Sequence, residues 1–202
     1  MKLTTRELVT IAIFGTLWGI VEISLGGVLK SLDVPMAGML LSTIGLTLAM
    51  IGRLFVPKRG TTLFIGVIAM LLKLFSLGGV IIGPMVGIFT EALVAEVVLS
   101  LKAAPSRGLL VAAGVFGVVW VIGQPFVTGP LLFGRTVFVV WLDFLDTARR
   151  VLGLGDAAII IVLGIYLLIH IVMGVVAGVL AWNVGRQVHV RLGKSPTHLE
   201  DI

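Results

Sequence analysis

The run "IIIVLGIYLLIHIVMGVVAGVLAW", residues Ile159 to Trp182, contains no Asp, Glu, Lys or Arg. A bilayer core needs about 20 apolar residues in a helix to cross it, and this run supplies them. Five further stretches read the same way, giving six expected spans at Leu8–Leu29, Pro35–Phe55, Thr61–Leu77, Pro84–Leu101, Gly108–Phe126 and Ala157–Trp182. With 58% of its 202 residues hydrophobic, 12% charged and a mean hydropathy of +1.19, the chain carries more apolar side chain than a soluble domain can hide. The expected class is an all-α integral membrane protein. Residues 1–182 form a single six-helix transmembrane domain, and 183–202 a basic tail.

Between the fifth and sixth spans, "VVWLDFLDTARRVLGLGD" spaces its apolar residues helically, with Asp143, Asp146, Arg149 and Arg150 between them. That pattern predicts an amphipathic helix at the membrane interface. Orientation follows from the basic residues. With the N-terminus inside, Lys2, Arg6, Arg53, Lys58, Arg59, Lys102, Arg107, Arg186, Arg191 and Lys194 are cytoplasmic. Only Lys30, Arg135, Arg149 and Arg150 are external, so both termini are placed in the cytoplasm and the protein in the cell membrane as a multi-pass chain. The net charge of +5 is absorbed by this asymmetry, and nucleic acid is not an expected partner. The absence of cysteine removes disulfides, thiolate nucleophiles and Cys-based metal sites.

Ionisable groups inside a membrane are costly and usually face a cavity or one another. Counting along the spans at 1.5 Å per residue places Glu22, Lys73 and Glu91 roughly 6–10 Å below the outer surface. Gln124 in the fifth span and Tyr166 in the sixth lie within reach of that layer, and Trp120 and Phe126 add flat apolar walls. Convergent polar groups among apolar ones are the pattern of a small-molecule site. The plainer reading is an ion pair: Lys73 neutralises Glu22 or Glu91 and fixes helix register. One acid is then left for a proton, water or a ligand. Glu96 is rotated about 140° from Glu91 and lies deeper, so it is expected to face another helix or an intracellular partner. His170 reads as a hydrogen-bonded core residue.

The spacings Gly15-x-x-x-Gly19, beside Ala12 and Thr16, and Gly174-x-x-x-Gly178 allow close helix approach, within the chain or to a partner. "GLGD", Gly153 to Asp156, matches an intramembrane aspartyl protease signature, but no span offers the second aspartate which that chemistry shares a proton with. No metalloprotease, nucleophile-elbow or phosphate-loop motif occurs, so neither an enzyme nor a cofactor is expected.

Six short spans, both ends inside, the small residues of the first helix and "GGVIIGPMVGIFTEALVAEVVLSL" opening the fourth resemble the substrate-binding S components of energy-coupling factor (ECF) vitamin transporters. The Gly-Pro step and later Ala-Glu are most similar to members linked to thiamine or its hydroxymethylpyrimidine precursor. The resemblance implies capture of a vitamin or precursor at the outer face. It also implies docking to a transmembrane coupling subunit and two ATPase subunits. Substrate-binding positions carried over are Glu91, Trp120, Gln124 and Tyr166, with Glu22 and Lys73 added from the depth count. Residues Lys30–Pro35 and Val127–Asp156 would cover the pocket, and Ala12, Gly15, Thr16 and Gly19 would dock the coupling subunit. A stand-alone secondary transporter or channel, using Glu22, Lys73 and Glu91 as an ion path, is the alternative.

Overall fold

The computed structural model describes residues 2–76, 81–102, 104–152 and 156–191, and in them the protein is all-α. Seven helices follow in order: α1 (Thr5–Ser31), α2 (Ala37–Phe55), α3 (Thr61–Leu72), α4 (Ile82–Leu99), α5 (Arg107–Phe133), α6 (Val137–Leu152) and α7 (Asp156–Arg191). Local chemistry sets their ends. Thr4 and Glu7 form a reciprocal capping box at the start of α1, with Glu7 Oε2 accepting the Thr4 N–H at 2.7 Å. Ser106 caps α5, and Gly134 ends it in the left-handed region at φ +61°.

Five helices, α1, α2, α4, α5 and α7, are long and apolar enough to cross a membrane. The third expected span is shorter than the sequence pattern suggests. Its α-helix stops at Leu72, and Lys73–Phe75 tighten into a 3-10 turn. Together they rise only about 24 Å. The fifth helix carries Pro125 and Pro130 inside it and runs on beyond Phe126 to Phe133. The amphipathic segment is helical, as α6. Helix α7, about 54 Å long, continues unbroken past Trp182 to Arg191. Gly153–Gly155 of the "GLGD" stretch, residues 77–80 before α4 and the tail from 192 lie outside the described residues.

Helix α2 is the hub. It touches α1, α3, α4, α5 and α7, which are arranged around it so that α1 meets α3, α3 meets α4, α4 meets α5 and α5 meets α7. Trp18, Leu46, Met50, Ile65, Leu99, Leu110 and Val118 fill the interior with no exposed surface. Leu8, Ile13, Leu17 and Ile20 of α1 and Ile161, Ile165 and Leu168 of α7 point outward, where lipid rather than water would meet them. With lipid as the competing neighbour, association depends on close packing and polar contacts more than on burial of apolar area. Helix α6 leans on α5 and α7, with Trp141 6.3 Å from Phe126 by ring centroid.

Close packing explains the first glycine pair. Gly15 and Gly19 are buried against α3, and a Cβ there would lie 2.7 Å from Ile68 Cβ and 2.6 Å from Leu72 Cδ1. Ala12 and Thr16, beside them in sequence, are on the exposed face of α1. Gly15→Leu and Gly19→Leu should therefore each lower stability by about 1–3 kcal/mol through overpacking. Thermal melts in detergent would register this without any partner present, whereas unchanged melting would place both glycines on a free surface.

Candidate functional site

A cavity of about 580 Å³ opens between the last turns of α1, the start of α2, the 3-10 turn after α3, the first half of α4 and the middle of α5. Its wall is mostly apolar or glycine: Gly26, Leu29, Val34, Gly38, Leu41, Gly87, Ile88 and Val121. Into it converge Glu22, Lys30, Asp33, Ser42, Lys73, Glu91 and Gln124. Four residues expected from the depth count, Glu22, Lys73, Glu91 and Gln124, thus share one cavity. Trp120 and Tyr166 do not line it. Trp120 turns toward α4 and donates its indole N–H to Thr90 Oγ1 at 2.7 Å. Tyr166 sits on α7, which lies across α2 and α5 from the cavity; its ring is 4.3 Å from that of His170, whose Nδ1 meets the Tyr166 carbonyl at 2.8 Å.

The polar groups of the cavity are unequally matched. Lys73 Nζ donates to the Glu22 carboxylate at 3.1 Å and to the Glu22 carbonyl at 2.7 Å. Both residues are buried. Glu91 is 5% exposed, and no described cation lies within ion-pair distance of it. Its neighbours on the cavity wall include the Ser42 hydroxyl and the Glu22 carboxylate. Desolvating a carboxylate without a counter-charge is expensive, so this group is poised for a positive or donor-bearing partner.

Gln124 is held differently. Its amide Nε2 donates to the Gly83 carbonyl at 2.9 Å, and it reaches that atom by lying over Gly87. A Cβ on Gly87 would stand 2.7 Å from Gln124 Oε1. Glycine at 87 is therefore what allows α5 to clamp the first turn of α4. Because Nε2 is engaged, Oε1 is left as an acceptor on the same face of α4 as Glu91, one helical turn away. Pro125, lacking an N–H, also leaves the Val121 carbonyl without its intrahelical partner.

The connection between α1 and α2 contributes Asp33 and Val34, and it is a strained loop. Asp33 and Met36 both take positive φ, at 48° and 60°. Ser42, Gly26 and Gly87 were absent from the sequence-derived set. The only visible signal for Ser42 is a lone hydroxyl pair, Ser42-Thr43, inside an apolar helix.

Glu96, one and a half turns further along α4, faces away from the cavity and is fully matched. Its carboxylate accepts the Gly60 N–H at 2.6 Å, the Thr62 N–H at 3.0 Å and the Ser100 hydroxyl at 2.6 Å. It also stands 3.4 Å from the Arg53 guanidinium, which is wholly buried. Gly60 opens α3 at φ +89°, so Glu96 acts as the N-terminal cap of a neighbouring helix, complementing its dipole.

No protein-family model, no curated protein and no solved structure matches this chain. What stands independently of any relative is a multi-pass helical membrane protein with a polar cavity between five of its segments.

Proposed function

We propose that the protein is a membrane-embedded binding subunit that captures a small cationic or donor-bearing organic molecule at the outer face for uptake. It binds its cargo rather than transforming it. The carrying observation is Glu91: a buried carboxyl group on a cavity wall, near the Ser42 hydroxyl but with no described cation to pair with, beside an acid that already has one. The cavity, about 580 Å³, falls within the roughly 300–1,000 Å³ of small-molecule sites. The Lys/Arg asymmetry supports its opening outward, since the end of α1 and the start of α4 lie opposite the arginine- and lysine-rich ends.

The resemblance to ECF S components extends the proposal to a vitamin or vitamin precursor as cargo, and to a coupling subunit and ATPase subunits as partners. The exposed residues Ala12 and Thr16 of α1 are the part of the expected docking set available to such a partner. The shared cavity of Glu22, Lys73 and Glu91 also suits a secondary transporter with an ion path. Uptake assayed in cells lacking any ATPase module separates the two: transport that persists there favours the secondary transporter.

Glu91→Gln keeps the shape of the side chain and removes its charge. It should weaken ligand binding by about 1.5–3 kcal/mol, the worth of a charge-assisted hydrogen bond, or roughly 10- to 100-fold in Kd. Glu96→Gln, whose site lies on another face, should leave affinity within about threefold in protein that remains folded. Titration calorimetry with the co-purifying ligand checks both. Equal affinities of the wild type and Glu91→Gln would remove Glu91 from the site.

A further inference from the structure

Lys73 follows the last α-helical residue of α3, Leu72, and its ammonium ends against the backbone of α1. A mid-helix carbonyl is an uncommon partner for a lysine, because the N–H of the residue four further on already occupies it. Here that residue is Gly26. A Cβ at position 26 would stand 3.3 Å from Lys73 Nζ and 3.3 Å from Leu41 Cδ1, tighter than an ordinary contact. Glycine thus leaves a notch through which a cation reaches the Glu22 carbonyl and the Glu22 carboxylate together. The two oxygens, at 2.7 and 3.1 Å, form a preorganised acceptor pair from a single residue. Glu22, Gly26 and Lys73 all line the cavity, so the pair borders the space that a solute would enter.

Charge counting gives the notch a consequence. Glu22 and Glu91 set two acids on neighbouring parts of the wall, and Lys73 supplies a cation to the one at Glu22 alone. We propose that Glu22 is a cation-binding subsite which the protein fills with its own Lys73 ammonium, so that Lys73 confines a ligand's positive charge to Glu91. Lys73 is in this sense a specificity-determining residue: it admits a monocation and excludes a second positive group. The assignment to specificity rests on the cavity being the ligand site, as proposed above, whereas the subsite at Glu22 does not.

The test is chemical rescue. Lys73→Ala removes the ammonium and leaves a slot one alkyl chain long, ending at Glu22. The purified variant should melt several degrees below wild type. n-Propylammonium chloride at tens of millimolar should recover at least half of that loss, and methylammonium chloride less, against sodium chloride of equal ionic strength. Wild type, whose subsite is filled, and the double variant Glu22→Gln/Lys73→Ala, whose subsite lacks its charge, should not respond. Absence of recovery, or the same response in wild type or in the double variant, overturns the proposal. Should Lys73→Ala not fold alone, expression with propylammonium in the medium serves as the readout, and failure to recover folded protein then overturns it. Rescue without any ligand at Glu91 would leave the Glu22 subsite standing and remove the capture function; a ligand at Glu91 without rescue would do the reverse.

Discussion

Glu96→Ala is expected to cost about 3–5 kcal/mol of stability, the usual penalty for stripping one partner from a buried ion pair. The substitution leaves Arg53, with no exposed surface, facing a void where its counter-charge stood. It also orphans the N–H groups of Gly60 and Thr62 at the start of α3 and the hydroxyl of Ser100. Arg53 has no slack to absorb the loss, since its guanidinium makes no well-aligned hydrogen bond among the described residues and has Glu96, 3.4 Å away, as its counter-charge. The double variant Arg53→Met/Glu96→Leu should recover a large part of the loss, because a matched apolar pair avoids the desolvation of both charges. Thermal unfolding of the two variants in one detergent measures this. A Glu96→Ala protein that melts with wild type would mean that water reaches the guanidinium.

Gly178→Leu should be nearly as severe, at about 3 kcal/mol or more, because nothing in its way can move aside cheaply. A Cβ on Gly178 would lie 2.6 Å from the Leu110 carbonyl oxygen, and one on Gly174 2.5 Å from Val115 Cα. The obstacles are backbone atoms of α5, so a side chain must drive α5 and α7 apart. Gly27→Leu, at a position with open space around it, is the matched control and should melt close to wild type. Similar melting of Gly178→Leu and wild type would mean that the two helices are not in backbone contact.

Much of the architecture was legible from hydropathy alone, because a lipid-exposed helix must be apolar for about 20 residues and the runs are long. The amphipathic α6 was equally visible, since Asp143 and Asp146 interrupt an otherwise apolar pattern at helical spacing. The short third helix was not. Leu74, Phe75 and Leu77 keep the hydropathy high past Lys73, while the α-helical hydrogen bonding ends at Leu72. Depth counting brought Glu22, Lys73, Glu91 and Gln124 to one level, because rise per residue is fixed. It carries no lateral information, so it left open which acid Lys73 meets and placed Tyr166 near a wall to which no described residue of α7 contributes. The glycines were ambiguous for a related reason. Gly15, Gly26, Gly87 and Gly178 each make room for a specific neighbour on another helix, and sequence spacing does not identify that neighbour.

The cavity is proposed to hold a small molecule through Glu91. Native mass spectrometry of the protein released from detergent tests it most directly, with wild type and Glu91→Gln expressed side by side. Wild type should carry a bound mass of a few hundred daltons, compatible with about 580 Å³. That mass should be lost or strongly reduced in Glu91→Gln. Equal retention by both proteins, or no bound mass on wild type supplied with a cell extract, would contradict it.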